Sequence, residues 1–183
     1  MTPTETLKHE HQVISLALQG AEEEAQRIGD KGVVHAELTG KLVDFFLNFV
    51  DRCHHAKEER HLFPKMRERG GPAQGDLIDR LLREHDEARG LVKTIAGALP
   101  KAVSGETEPI HILGDSLRAY ARLLRAHMDQ ENELLFAMAD ETLTQHDADL
   151  LTMEFERVEQ EEIGAGAHER YLHVAHGLAH EAG

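Results

Sequence analysis

The first half of the chain contains the stretch His54-His55-Ala56-Lys57-Glu58-Glu59-Arg60-His61-Leu62-Phe63, and the second half repeats its pattern in His127-Met128-Asp129-Gln130-Glu131-Asn132-Glu133-Leu134-Leu135-Phe136. Both stretches follow the skeleton His-x-x-x-Glu-x-x-x-Leu-Phe. A Glu-His pair precedes each copy, Glu10-His11 and Glu84-His85. The two pairs are 74 positions apart and the two His-x-x-x-Glu copies are 73 apart. The sequence therefore predicts two similar helical hairpins related by a pseudo-twofold axis.

Apolar residues around these motifs recur with helical spacing, as in Leu7, Ile14 and Leu18, and His11 lies within that stripe. Four such segments joined by short loops are typical of an all-α, up-down-up-down four-helix bundle, here with an additional C-terminal helix. We assign residues 1–140 to the bundle and residues 141–183 to a C-terminal helix and tail.

Capping signals and prolines predict where the helices begin and end. Helix A begins after Thr2 and runs to about Arg27, and helix B runs from Val34 to about Phe63, with an end or a kink at Pro64. Helix C runs from Asp76 to the residue before Pro100, and helix D begins at Pro109. A fifth helix covers Thr142 to Ile163, Gly164-Ala165-Gly166 breaks it, and Ala167 to His180 forms a last one.

The composition excludes several classes of function. The chain has 183 residues, with 34 acidic against 20 basic side chains and a formal charge of −14, which repels nucleic-acid backbones and anionic membranes. No apolar run reaches the length of a membrane span. The single cysteine, Cys53, and an N-terminus without a signal-peptide pattern favour a reducing, cytoplasmic location. The sequence does not indicate a protein partner.

Six polar side chains fall inside the apolar stripes. Histidine and glutamate four residues apart lie on one helix face and can reach the same point in the core. A buried carboxylate must be compensated, either by protonated histidines or by cations. A pair of metal ions satisfies every one of these groups. The predicted ligands are His11, His54, Glu58, His85, His127 and Glu131.

Twofold symmetry predicts two sites with two histidines each and glutamates that can bridge them. Nitrogen and carboxylate ligands without thiolate suit iron, with manganese or zinc as substitutes. Taken singly, a histidine in an apolar stripe is usually a core residue, and one His-x-x-x-Glu is usually a solvated pair. The matched repeat is what favours metal.

Other candidates are weaker. His55 lies off the main stripe and His61 lies one turn beyond Glu58, and for both a surface or packing role is favoured over a supporting role behind the ligands. His35 is placed near the far end of helix B, and Cys53 is interpreted as a packing residue. Tyr120 is interpreted as a core residue. The histidines of the tail are interpreted as solvated: His168, His173, His176 and His180.

The pattern resembles the hemerythrin-like, HHE cation-binding family over about residues 5 to 140. This resemblance implies a non-haem diiron centre in which Glu58 and Glu131 bridge two oxo- or hydroxo-linked iron ions and the histidines are terminal ligands. Oxygen-carrying members have a histidine where this chain has Arg89, and an aspartate in helix D at a longer spacing than Glu131. These departures favour the members associated with peroxide removal, nitric oxide stress, and iron sensing or repair.

The sequence is consistent with two functions and with a purely structural role. The first is a diiron protein that binds or reacts with dioxygen, peroxide or nitric oxide, including catalase-like turnover. The second is an iron or oxygen sensor, or an iron-handling protein, without turnover. The third is a structural bundle with a polar core. The sequence does not indicate which residues would be catalytic.

Overall fold

The computed structural model describes residues 1–164 and 166–181, without the side chains at positions 167, 168, 180 and 181. This part of the chain is helical and contains no strand. Its helices follow one another as α1 (Pro3–Lys31), α2 (36–69), α3 (Pro72–Val103), α4 (107–142), α5 (145–163) and α6 (Ala167–Glu181). The all-α prediction is confirmed, and two helices follow the first four, one near the predicted fifth helix and one over the predicted tail helix.

Local chemistry places the start of α1 where the sequence predicts it, but the helix ends further along the chain. Thr2 is the N-cap: its hydroxyl accepts from the backbone N–H of Glu5 at 3.2 Å, and the Glu5 carboxylate accepts from the Thr2 N–H at 2.7 Å. Gly32 ends the helix with a φ of 62°, and its N–H donates to the carbonyl of Ile28. The helix is one turn longer than predicted.

Prolines end the helices less often than the sequence predicts. The helix α2 continues through Pro64 to residue 69, because a π-helical turn precedes the proline and a new α-helical segment begins there. Pro72 starts α3, which shortens the predicted loop to Gly70 and Gly71. Pro100 lies inside the last turns of α3, where the helix tolerates one missing hydrogen bond and runs on to Val103.

The fourth and fifth helices also differ from their predicted bounds. The helix α4 begins at residue 107 rather than at Pro109. The helix α5 begins at residue 145 because Thr144 is its N-cap, in a capping box with Asp147. It ends at Ile163, where Gly164 adopts a φ of 82° that favours glycine. Ala165 lies outside the described residues, and so do the side chains of His168 and His180; His173 and His176 are exposed.

The apolar core consists of two clusters. The larger cluster contains residues of α1 to α4 together with Ala175 and Leu178 of α6. The smaller cluster contains residues of α1 to α4 together with Leu151 and Phe155 of α5. The helix α6 therefore packs on the larger cluster, whereas α5 packs mainly on the smaller one and reaches the larger one with Ile163.

A polar layer separates these clusters. On α1, His11 lies between Leu7 of the smaller cluster and Val13 of the larger one, and on α3 the order of clusters is the same. On α2 and α4 the order is reversed, so that Val50 of the larger cluster precedes His54 and Leu62 of the smaller one follows it. The predicted ligands lie at the same level along the bundle, because each is at the point where its helix passes from one cluster to the other.

Candidate metal centre

The six predicted ligand residues meet in the polar layer, each at most 3% exposed. His11 and His54 face each other with 3.1 Å between their Nε2 atoms, and His85 and His127 do so at 3.0 Å. The geometry brings together all of the residues that the repeat predicts.

The two glutamates lie between these histidine pairs. Glu131 places Oε2 3.3 Å from Nε2 of His11 and Oε1 3.2 Å from Nε2 of His127. Glu58 places Oε1 3.6 Å from Nε2 of His54 and Oε2 3.5 Å from Nε2 of His85. Each carboxylate thus spans the two histidine pairs, with one oxygen near each.

A second set of side chains fixes the imidazole rings from behind. Nδ1 of His54 lies 2.8 Å from a carboxylate oxygen of Glu10, and Nδ1 of His127 lies 2.7 Å from one of Glu84. These are the glutamates of the two Glu-His pairs, and each acts on the neighbouring helix of its own hairpin. Partners of this kind set the tautomer and the orientation of metal-binding histidines.

The other two histidines are oriented across the hairpins. Nδ1 of His11 lies 2.9 Å from Oδ1 of Asn132, and Nδ1 of His85 lies 2.7 Å from Oε1 of Glu59. Each partner directly follows one of the central glutamates in the sequence. The pseudo-twofold axis thus extends to the residues behind the ligands.

The hydrogen bonds behind the imidazole rings indicate whether the centre can bind a metal ion. Carboxylates only accept hydrogen bonds, so a neutral His54, His85 or His127 carries its proton on Nδ1 and directs the Nε2 lone pair inward. Among the described residues, the four carboxylate oxygens of Glu58 and Glu131 are buried without a hydrogen-bond partner. Facing lone pairs and orphaned carboxylate oxygens repel one another unless protons or cations lie between them. The donor set therefore fits metal cations.

His55 is buried, which agrees with the packing role that the sequence left open for it and excludes a surface role. It is 2% exposed rather than at the surface, and its ring stacks on that of His85 at a centroid distance of 3.8 Å. Its Nδ1 atom has no hydrogen-bond partner among the described residues. His55 can supply a third imidazole at one side of the centre.

The structure accordingly offers two overlapping ligand groups, in each of which the ligand atoms lie within 4.8 Å of one another. We call these group one and group two. Group one consists of His11, His54, Glu58 and Glu131, and group two consists of His55, Glu58, His85 and His127. The centre is therefore less symmetric than the sequence repeat implies.

The winding of α2 explains why His55 turns inward. Residues Phe46–His55 form a π-helix, in which each turn holds more residues than an α-helical turn and successive side chains are rotated less. His54 and His55 therefore both face the core. A hydrophobic pattern with a period of 3.6 residues cannot reveal this change of winding.

Charges in the metal-free centre are strongly perturbed. Burial and the neighbouring Glu131 carboxylate raise the pKa of Glu58 well above its usual value. Burial lowers the pKa of His54 to about 4. Burial also acts to lower the pKa of His127, but Glu131 and Glu84 outweigh it and raise that pKa to about 9. Protons thus occupy part of the space between the ligands, and a metal must displace them.

Comparison with known families decides the identity of the bundle. The model of the family described as the hemerythrin HHE cation binding domain matches residues 2–139, which span α1 to α4 and include every residue of the two groups. The chain belongs to this family. The matched region ends before α5, so the two last helices lie beyond it.

Individual relatives add little about function. The chain is 24% identical over 136 residues to an uncharacterised protein of Mycobacterium bovis and to two of Mycobacterium tuberculosis. The match covers 74% of this chain and 52% of each relative, so the chain spans about half the length of the curated relatives it matches. No solved structure matches the chain.

Other residues singled out in the sequence lie outside the ligand groups. His35 is the exposed N-cap of α2, and its backbone N–H donates to Glu24 at 2.7 Å. His61 faces Glu154 of α5 at 3.8 Å. Cys53 and Tyr120 are buried core residues. Arg89, at the position of a ligand in the oxygen carriers, pairs with Asp51 at 2.7 Å and with Glu59 at 2.6 Å.

Proposed function

We propose that the chain holds a pair of iron ions and uses them to bind or react with a small oxidant: dioxygen, peroxide or nitric oxide. The observation that carries this proposal is the convergence of unpaired carboxylate oxygens with inward-facing imidazole nitrogens in a buried layer. In such a set, Glu58 and Glu131 would hold the ions between the two histidine pairs, inside an up-down-up-down bundle.

The nature of the ligands supports iron. Imidazole and carboxylate ligands without thiolate suit iron, manganese and zinc, and Cys53 belongs to neither group. Members of this family are described as cation-binding, and the match includes all of the ligand candidates. When bound, an iron pair supplies positions for an oxygen species and a source of electrons for its reduction.

A cavity gives a small molecule access to group two. It has a volume of ≈ 410 Å³, lies between α2 and α3, and reaches His55 and Tyr120. Its walls include Phe46 and Val92, and Arg89 lies at its edge. Such a mostly apolar space favours an uncharged ligand over an ion.

Residues of the chain then have distinct tasks. Glu10, Glu84 and Glu59 hold the imidazole rings in the tautomer that leaves Nε2 free for a metal. The two apolar clusters exclude water from both sides of the layer, which strengthens the electrostatic interactions within it.

A sensor or iron-handling role is the second candidate function. It is favoured by the two helices beyond the matched region, because α5 and α6 both pack on the bundle that carries the candidate ligands. A change at the centre can reach them through the packed core. In this role the metal stabilises a conformation and no turnover takes place.

Reactivity separates the two candidates. The full chain is loaded with ferrous iron without oxygen and then mixed with hydrogen peroxide, nitric oxide or dioxygen. Repeated consumption of one of them supports the enzyme-like role, and a single stoichiometric reaction with a metal-dependent rise in thermal stability supports the sensor. A loaded protein that reacts with none of the three contradicts the proposed reactivity.

A further inference from the structure

A buried lysine lies directly behind group one. The side chain of Lys57 is 0% exposed, and its ammonium group donates to Glu10 and, at 2.6 Å, to Glu159. A lysine is seldom fully buried, because removing its charge from water is costly unless carboxylates compensate for it. Lys57 is therefore held by two carboxylates, one on α1 and one on α5.

Glu10 connects this lysine to a ligand. One of its oxygens accepts from Lys57 and the other lies 2.8 Å from Nδ1 of His54. Burial acts to raise the pKa of Glu10, but the ammonium of Lys57 outweighs it and lowers that pKa to about 2. Glu159, Lys57, Glu10 and His54 thus form one continuous chain of contacts that ends in group one.

The helix α5 supplies two of the contacts that enclose Lys57. The ring of Phe155 lies 5.8 Å from its ammonium nitrogen, and Glu159 follows Phe155 by four residues on the same face of α5. Both residues lie beyond position 139, where the family match ends.

The second hairpin provides an internal comparison. Gln130 stands 73 positions after Lys57, and its amide donates to Glu84 at 3.5 Å. Glu84 orients His127 as Glu10 orients His54, but it is 19% exposed, whereas Glu10 is 0% exposed. The same place in the fold therefore holds a neutral amide in one hairpin and a buried ammonium in the other.

We propose that Lys57 is a positioning residue for group one and that α5, through Glu159, holds it in place, so that the segment after the hemerythrin domain controls the metal affinity of one group but not of the other. The inference rests on the metal pair proposed above. When Glu159 loses its charge, Lys57 keeps only Glu10 as a carboxylate partner and competes with His54 for it. The imidazole of His54 is then held less firmly.

The test is a cobalt(II) titration of the metal-free full chain, with Co²⁺ as an optical probe of both groups. Glu159→Gln is expected to weaken one of the two binding steps severalfold and to leave the other unchanged. Lys57→Gln, which places the residue of the second hairpin in the first, is expected to weaken that same step by about tenfold, in the range for partners behind metal ligands.

Glu162→Gln is the matched control. Glu162 lies on the same turn of α5 and also pairs with α2, but with Arg60 at 2.6 Å and Arg52 at 3.4 Å instead of Lys57. It is expected to leave both steps unchanged. Equal weakening of both steps in Glu159→Gln, or a titration that matches that of Glu162→Gln, would overturn the inference.

Cobalt binding by the wild type separates a failure of the proposed metal centre from a failure of the role inferred for Lys57. A wild-type chain that binds no cobalt refutes the metal centre itself. In that case, a thermal double-mutant cycle of the metal-free protein still tests Lys57. The effects of Lys57→Gln and Glu159→Gln on Tm are expected to be non-additive, and those of Lys57→Gln and Glu162→Gln additive. Additivity in the first pair overturns the role of Glu159.

Discussion

Each of four histidines uses its two ring nitrogens for different partners. In His11, His54, His85 and His127, Nδ1 faces an oxygen atom behind the ring and Nε2 faces the middle of the polar layer. This division of tasks, more than the presence of histidine, is what distinguishes a metal ligand from a core histidine that is satisfied by its surroundings. It depends on residues that do not bind metal themselves.

His55 provides a prediction at the scale of a single residue. Because it is the third imidazole of group two, His55→Gln is expected to weaken that group and to reduce the metal content from two ions per chain towards one. Metal analysis after anaerobic loading and desalting measures this. His61→Gln, on the same helix but outside both groups, is the control and keeps the wild-type content. Equal metal content in the two variants would contradict the assignment of His55.

Cys53 provides a second prediction at this scale. Burial raises the pKa of its thiol to about 12, so at pH 8 only on the order of one thiol in ten thousand is ionised. The native protein is expected to react with Ellman's reagent far more slowly than the unfolded protein, and to speed up as the pH rises towards 12. Rapid reaction of the native protein at pH 8 would show that the thiol is accessible.

At the scale of helices, the two ligand-bearing copies share an irregularity. A π-helical turn begins at each of the two central glutamates, over Glu58–Leu62 in α2 and Glu131–Leu135 in α4. These turns occupy equivalent positions of the repeat. Such turns are frequent at functional sites, where they change the direction of side chains within a helix.

These turns limit what the sequence can predict. The repeat was enough to bring all six predicted ligands together, because stripe positions are reliable where a helix is regular. It did not reveal that His55, in a π-helical segment, faces the core, or that the helix continues past Pro64, which follows a π-helical turn. The sequence does contain a signal for two of the partners behind the imidazole rings. Glu10 and Glu84 occupy equivalent positions of the repeated Glu-His pair, and they contact His54 and His127 of the neighbouring helices.

The packing of α6 on α1 gives a prediction at this scale. A methyl group at Gly20 would lie 2.8 Å from the carbonyl oxygen of Leu178, so Gly20→Ala is expected to cost about 1–3 kcal/mol of stability. Gly97 is a matched control, because it is exposed within α3 and nothing lies within 4 Å of an added methyl group. Gly97→Ala is expected to add about 0.5–1 kcal/mol. Denaturant unfolding measures both, and equal effects would contradict the close approach of the two helices.

At the scale of the whole molecule, two similar hairpins surround two dissimilar halves of a centre. The repeat explains the common depth of the ligands, but its copies differ where they meet their surroundings. Met128 stands where the first copy has His55, and Gln130 where it has Lys57. These differences are visible in the sequence, but their structural consequences depend on the packing of α5 and on the winding of α2.

The cavities extend this asymmetry. The cavity at group two is mostly apolar, whereas one of equal volume, ≈ 410 Å³, at His11 is lined by Lys8, Arg125 and Asp129. None of the described helices is long and apolar enough to cross a membrane. The two sides of the centre therefore present chemically different entrances.

The apolar cavity gives a prediction for the loaded protein. Val92→Phe is expected to fill part of the cavity and to slow the binding of nitric oxide at least severalfold, with the metal content unchanged. Gln12→Phe, which obstructs the polar cavity instead, is the control and is expected to have a smaller effect. Stopped-flow mixing without oxygen measures both rates. Greater slowing in Gln12→Phe would place the entrance on the other side of the centre.

The metal content of the full chain tests the central claim most directly. Protein produced with iron and purified without chelators is expected to contain two iron ions per chain, to absorb in the near ultraviolet and to lose thermal stability when the metal is removed. Glu58→Ala and Glu131→Ala are each expected to lose iron, because each carboxylate spans both histidine pairs. Full iron retention in both variants, or a metal-free protein of unchanged stability, would contradict the diiron centre.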